Sequence, residues 1–398
     1  MVTPPAPQVT GYLYPWDVLG DPAAAAWVKN TGVHRVALAA AYHSVRAATP
    51  RHPERRVVDA GSAALYVPVT GAWDGSLLSP GDAVEWTGRD DSFAEAAAVI
   101  RGAGLPVDAW VVLTHSSAVG SRHQDLCVQN AFAETYRYAL CPSQPHVREY
   151  AARLVGQVLE LGRPDGLVLE AVGPLGFGHQ NQHEKTEGAG YSPWVQALLS
   201  LCFCGACCTA YTERDVPVDA LRKRVRDVVR LHTDSPDATP ETAPEAAEFL
   251  PLLEARWDAT AALLDACLAA VSSSGTRISL HASPDPWSTG PFVSVEALRR
   301  SLLLPLMDKV TAVVPCWGDA AQGSATVAAM AAAAPGVTVG SYVLVLPPKP
   351  AEAGALSREW GALLEAGSSE LHVYHLGLAS SGRLDAAAEA VQSVGAGS

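Results

Sequence analysis

Residues 165–173 read DGLVLEAVG. The run from Gly166 to Leu169 is apolar without alternation, as expected of a parallel strand covered on both faces, and it ends in a carboxylate, Glu170. Further stretches of the same make-up predict strands near residues 12, 38, 111, 280, 313, 341 and 373. Between them the sequence predicts helices: an Ala-rich one opened by Asp21-Pro22, then 91–103, 145–162, 245–273, 294–304, 321–334, 352–366 and 382–394. Ala63 to Val69 reads as an inserted strand or hairpin outside this alternation. Eight strands, each followed by a helix, predict a (β/α)8 barrel of class α/β.

An open doubly wound sheet produces the same apolar runs. The barrel is preferred because no G-x-G-x-x-G follows the first strand and because polar and aromatic residues end nearly every strand. In a barrel, Trp16, Tyr42, His43, His115, Glu170, His281, Trp317, Tyr374 and His375 would ring one mouth. The stretch 172–244 is too long for a plain loop, so the expected organisation is a first half-barrel over 1–171, an insertion over 172–244 with two helices (192–201 and 216–232), and a second half-barrel over 245–398.

The 398 residues are 48% hydrophobic and 17% charged, which excludes disorder as the main state. A formal charge of −13, with Arg222-Lys223-Arg224 the one basic cluster, argues against nucleic acid as a partner. No apolar run reaches the length of a membrane span, and MVTPPAPQVTGYLYPWD lacks the basic and apolar regions of a secretory leader, so the expected compartment is the cytoplasm. Self-association is left open.

Four of the eight cysteines fall within 202–208. Such crowding suits a metal better than a disulfide scaffold, since thiolates at C-x-C-x-x-C spacing converge readily on Zn²⁺. Cys202, Cys204 and Cys207 are expected in a loop, and a closed tetrahedral site wants a fourth ligand. The alternative is a redox-active cluster.

The stretch YALCPSQPHVREYAARLVGQVLELG (138–162) and the stretch LCFCGACCTAY (201–211), flanking a strand that ends in Glu170, together resemble the corresponding part of family 42 glycoside hydrolases, which are β-galactosidases. The resemblance covers about residues 138–211. It implies a barrel, a carbohydrate ligand, Glu170 as acid/base, and a structural zinc held by Cys141, Cys202, Cys204 and Cys207, with Cys208 spare. Two departures stand out: Leu169 occupies the place of the family's Asn before the acid, and SYVLVLPPKP (341–350) carries no carboxylate where the family's nucleophile ends strand 7.

A carboxyl at a strand end in a partly dry mouth has its pKa raised, which suits a general acid; the structural alternative is a salt bridge closing the strand. Candidates for a second carboxylate are Glu184, Asp285 and Asp319. GFGHQNQHEK (176–185) supplies His179, Gln180, His183 and Glu184, which read as a substrate lid, as a metal-binding H-x-x-x-H if helical, or as an inert polar loop. The mouth aromatics and histidines, with Trp287, suit sugar stacking and hydrogen bonding. Arg46, Arg51 and His52 would meet an anionic group of a ligand or simply balance the acidic surface. Three functions are thus open: a glycoside hydrolase, a non-catalytic carbohydrate-binding barrel, and a sugar isomerase or lyase using the mouth histidines.

Overall fold

The computed structural model describes residues 6–178, 185–234, 246–271 and 275–396. Eight strands form the frame: β1 (Gln8–Leu13), β2 (Arg35–Tyr42), β3 (Val107–Val112), β4 (Gly166–Glu170), β5 (Arg277–Ser283), β6 (Val310–Pro315), β7 (Thr338–Leu344) and β8 (Glu370–Tyr374). Each pairs in parallel with the next, and β8 returns to β1, so the sheet closes. The chain is a (β/α)8 barrel, and the open-sheet alternative is excluded.

Around it lie α1 (Ala24–Asn30), α2 (Ser92–Gly102), α3 (Pro145–Gln157), α4 (Leu250–Leu268), α5 (Val295–Leu298), α6 (Ala320–Ala333), α7 (Ala353–Glu365) and α8 (Ser381–Ala396). Local chemistry sets their starts. Asp91 accepts a hydrogen bond from Ala94 N (2.9 Å) ahead of α2, and Pro145 opens α3, where a missing N–H costs nothing.

The predicted helix 294–304 shrinks to the single turn of α5. Asp265 of α4 draws off its continuation by accepting from Leu302 N (2.9 Å), Leu303 N (3.1 Å) and Ser301 Oγ, and Pro305 cannot carry the helix further. The 63–69 segment contributes only Ala64–Leu65, antiparallel to the end of β2 and outside the barrel. After β3 the chain makes a hairpin, Cys127–Gln129 with Thr135–Leu140, before reaching α3.

Beyond β4 come helices Pro193–Leu199, Gly205–Thr212 and Val218–Asp234. The second of these corrects the loop expected at the cysteine cluster: Cys204 is its N-cap residue and Cys207 lies in its first turns. No described helix is long and apolar enough to cross a membrane.

The barrel interior is not a simple aliphatic core. Alternate positions of β1, β3, β5, β7 and β8 bring Tyr12, Trp110, His281, Tyr342 and His372 together, with Tyr12 centroids 5.0 Å from Trp110 and 4.9 Å from Tyr342. Below this layer, Arg35, Asp108, Arg277 and Glu370 meet at the strand starts. Gly166 of β4 permits this, because a Cβ there would stand 2.5 Å from Asp108 Oδ1.

Candidate active site

Glu170 is the last residue of β4, buried but for an edge at the mouth. The turn that carries it away from the strand is held firmly. Ala171 adopts a left-handed φ of 53°, an arrangement costing an L-residue on the order of 1 kcal/mol, and three bonds fix it: Ala171 N to Pro291 O (3.0 Å), and Thr114 N (3.1 Å) and Oγ1 (2.8 Å) to Ala171 O. The carboxylate is therefore aimed by its backbone.

Trp110 Nε1 donates to Glu170 Oε2 at 2.7 Å, and His281 Nδ1 lies 3.5 Å from the same oxygen. Burial pushes the Glu170 pKa up to about 7, against the opposing bond from Trp110. Burial likewise keeps the nearby phenols of Tyr12, Tyr42, Tyr342 and Tyr374 neutral, each feeling the Glu170 charge as a further upward push. The carboxyl thus sits among neutral hydrogen-bonding groups, able to hold or release one proton near neutrality.

An aromatic wall leads out from it. Tyr342 packs at 5.8 Å from Trp317, Phe292 lies 5.4 Å from Trp317, and Trp317 itself is 43% exposed at the rim. On the other side Tyr42 stacks on His43 and His43 on His115, both at 4.2 Å. Burial lowers His43 to a pKa of about 4, leaving it neutral. Flat apolar faces with hydrogen-bonding edges suit a sugar ring.

Other predicted mouth residues lie deeper. Trp16 and His375 are fully buried, each stacked on Tyr14, at 4.5 and 4.4 Å. They form, with buried Asp17, a knot behind the mouth, where Asp17 Oδ2 accepts from Tyr14 N at 2.7 Å. Arg51 is spent on the carbonyls of Leu376 and Ala379 and on the face of Trp27. His52 is buried against Leu19 O, and Arg46 is exposed on the hairpin strand Val45–Ala48.

Of the second-carboxylate candidates, Asp285 is exposed and closes its own turn by accepting from Trp287 N (2.9 Å), and Asp319 caps α6 through Gln322 N (2.8 Å). Glu184, His179, Gln180 and His183 lie outside the described residues. The capping geometry of Asp319 carries a prediction: Asp319→Ala lowers stability by about 1 kcal/mol in chemical denaturation, while turnover or sugar binding stays within twofold of the parent. A large loss of activity at unchanged stability would assign Asp319 to the chemistry instead.

The cysteines converge. The Sγ atoms of Cys141, Cys202, Cys204 and Cys207, all buried, lie within 4.8 Å of one another and could hold a metal ion. Cys141 Sγ stands 3.5 Å from Cys207 Sγ and 3.8 Å from those of Cys202 and Cys204. A tetrahedron of thiolates at ~2.3 Å from a zinc ion has edges of ~3.8 Å, so the spacing fits such an ion and is far too wide for a disulfide. Donors surround the sulfurs: Gln129 N and Cys204 N each reach Cys202 Sγ at 3.5 Å, and Gln144 Nε2 reaches Cys204 Sγ at 3.7 Å. Cys208 stays outside the set, with Arg222 Nη2 3.1 Å from its sulfur.

The residues that sequence reading missed are Trp110, Tyr12, Tyr342 and His372. Each sits inside an apolar strand, where an aromatic or histidine reads as core; the one available signal was that these positions share the inward parity of Glu170, His281 and Tyr374.

No protein-family model matches the sequence, and no curated protein matches it. Solved structures do share its architecture. The PgaB (BpsB) glycoside hydrolase domain from Bordetella bronchiseptica superposes with a TM-score of 0.53 at 15% identity, over 94% of this chain and 95% of that one. The catalytic domain of β-amylase from Paenibacillus polymyxa gives 0.53 at 11%, over 95% and 94%. A catalytic mutant of a family 42 β-galactosidase from G. stearothermophilus gives 0.54 at 11%, over 98% of this chain but 56% of that one. Identities this low speak for architecture alone, and on that ground the chain shares the barrel fold of these glycoside hydrolase structures.

Proposed function

We propose that the protein is a glycoside hydrolase in which Glu170 protonates the leaving oxygen, with a structural zinc on Cys141, Cys202, Cys204 and Cys207. One observation carries the reading: the buried Glu170 carboxyl, pushed up to about 7, stands at the end of β4 beneath an aromatic-walled mouth. A general acid must be protonated at the working pH and must lose its proton readily, and a midpoint near neutrality meets both needs.

In this reading Trp317 and Tyr342 supply the stacking wall, and the phenols and neutral histidines bind hydroxyls. Trp110 orients the Glu170 carboxyl, and the strained Ala171 turn fixes its direction. The zinc, when bound, supplies no chemistry at the mouth; it pins helix Gly205–Thr212 to the start of α3 and so holds the chain that leaves β4. With Asp285 and Asp319 committed to a turn and a helix cap, Glu184 is the remaining candidate for the second carboxylate, and its distance from Glu170 separates retention (~5 Å) from inversion (~6.5–9.5 Å).

The test is a panel of aryl and alkyl glycosides assayed across pH 5–9. The protonated acid is the active form, so kcat/KM is expected to fall tenfold per pH unit above a midpoint near 7. Sugar binding without turnover of any glycoside would overturn the enzyme reading in favour of the carbohydrate-binding barrel. That alternative has one observation behind it: among the described residues, the polar contacts of Glu170 are Trp110 and His281, neither a carboxylate.

A further inference from the structure

A line of hydrogen-bonding groups runs through the barrel interior from Glu170 to the strand starts, and its proton placement can be read in one direction. At the far end Arg277 grips Glu370, with Nη1 2.9 Å from Oε1 and Nη2 on Oε2. Burial raises the Glu370 pKa, but His372 and Arg277 outweigh it and hold the group near 2, so Glu370 is an acceptor only. Asp108 completes this end, 3.8 Å from Arg277 and 2.7 Å from Arg35.

His372 Nε2 lies 3.3 Å from Glu370 Oε2 and must carry the ring proton that faces it. Burial lowers the His372 pKa against the upward pull of Glu370, so at pH 7 the ring is neutral and its Nδ1 is bare. Tyr12 Oη stands 3.1 Å from that Nδ1 and has one proton, which it donates there. The Tyr12 oxygen then accepts from His281 Nε2, also at 3.1 Å. His281, fully buried and held neutral by that burial, is left with a bare Nδ1. This Nδ1 has no hydrogen-bond partner among the described residues and faces Glu170 Oε2 at 3.5 Å.

We infer that Tyr12, His281 and His372 form a directed chain, anchored on the ionised Glu370, that presents a bare imidazole nitrogen to Glu170 and thereby holds its carboxyl in the protonated form. A lone pair facing a carboxylate oxygen is repulsive, whereas the same lone pair accepts from a carboxylic O–H, and that O–H oxygen still accepts from Trp110. The remaining groups around Glu170, the phenols of Tyr42, Tyr342 and Tyr374, are neutral and do not set the direction. Tyr12, His281 and His372 are positioning residues in this scheme, acting through Glu170. The inference rests on the general-acid reading for its purpose but not for its physics.

Two measurements test it without any turnover. Nitrogen-15 NMR of histidine-labelled wild-type protein is expected to show His281 and His372 as neutral Nε2–H tautomers at pH 7; a proton on Nδ1 of His281 would overturn the scheme. An infrared titration follows the Glu170 carboxyl band, identified by its loss in Glu170→Gln. In Tyr12→Phe the acceptor for His281 Nε2–H is gone, the ring is free to move its proton to Nδ1, and Nδ1–H then bonds ionised Glu170. The Glu170 midpoint is therefore expected to fall by at least one pH unit, a tenfold rise in its ionisation constant. An unchanged midpoint in folded Tyr12→Phe protein would sink the chain, whereas failure to cleave any glycoside would sink only the hydrolase reading.

Discussion

Glu170→Gln is expected to bind sugar as the parent does and to lose about 10²–10⁴-fold in kcat on alkyl glycosides, whose leaving groups need protonation. The substitution is close to isosteric: with its amide oxygen at the Oε2 position it keeps the Trp110 N–H at 2.7 Å and gives up only the bond to His281 Nδ1. Fold and mouth shape survive while the transferable proton is removed. Aryl glycosides with activated leaving groups depend less on that proton and are expected to lose tenfold or less. The ratio between the two substrate classes is the readout, because a structural defect would depress both together. Equal turnover by parent and variant on alkyl glycosides would make Glu170 a structural carboxyl and remove the main support of the hydrolase reading.

The strand ends were legible because a parallel barrel covered on both faces leaves an unbroken apolar run, and a charged residue closing such a run is conspicuous. Glu170 was found in that way. Trp110, which hydrogen bonds it, was not, because a tryptophan in the middle of VDAWVV reads as core and its indole N–H finds Glu170 only once β3 and β4 are in register. The interior chain is illegible for a similar reason. Arg35, Asp108, Arg277 and Glu370 each look like the ordinary charged edge of a strand, and only barrel closure brings residues as far apart in sequence as Asp108 and Arg277 into contact.

Elsewhere the sequence carried competing signals. Asp319 stood where a mouth carboxylate was sought, yet Asp319-Ala320-Ala321-Gln322 is also a helix start, and the capping bond prevails because it satisfies an orphan backbone donor. The fifth helix was overestimated because local propensity does not see Asp265, which lies on another helix and captures the donors that would have extended it. The cysteine spacing suggested convergence without revealing that Cys204 begins a helix, although Gly205-Ala206 offers nothing to prevent one.

Purified without chelator, the protein is expected to carry about one zinc per chain, and stripping it or making Cys204→Ser is expected to lower Tm by roughly 5–10 °C. The size follows from what the thiolates join. Cys141 lies at the junction of the Thr135–Leu140 strand and α3, and its partner Cys207 is 66 positions away in helix Gly205–Thr212, so the cluster closes a long loop between two elements otherwise tied by few polar contacts. Without the ion, four buried sulfurs face one another. Burial pushes the Cys202 thiol well up, while hydrogen bonds from Cys141 and then its other neighbours draw Cys204 down, so that at most part of the set ionises. A divalent cation removes that conflict by accepting all four as thiolates. Loss of the ion should therefore loosen 193–212 first, seen as faster amide exchange there while β1–β8 stay protected. Metal-free protein of full stability, or reversible formation of a disulfide within the cluster on mild oxidation, would replace the zinc site with a redox-active one.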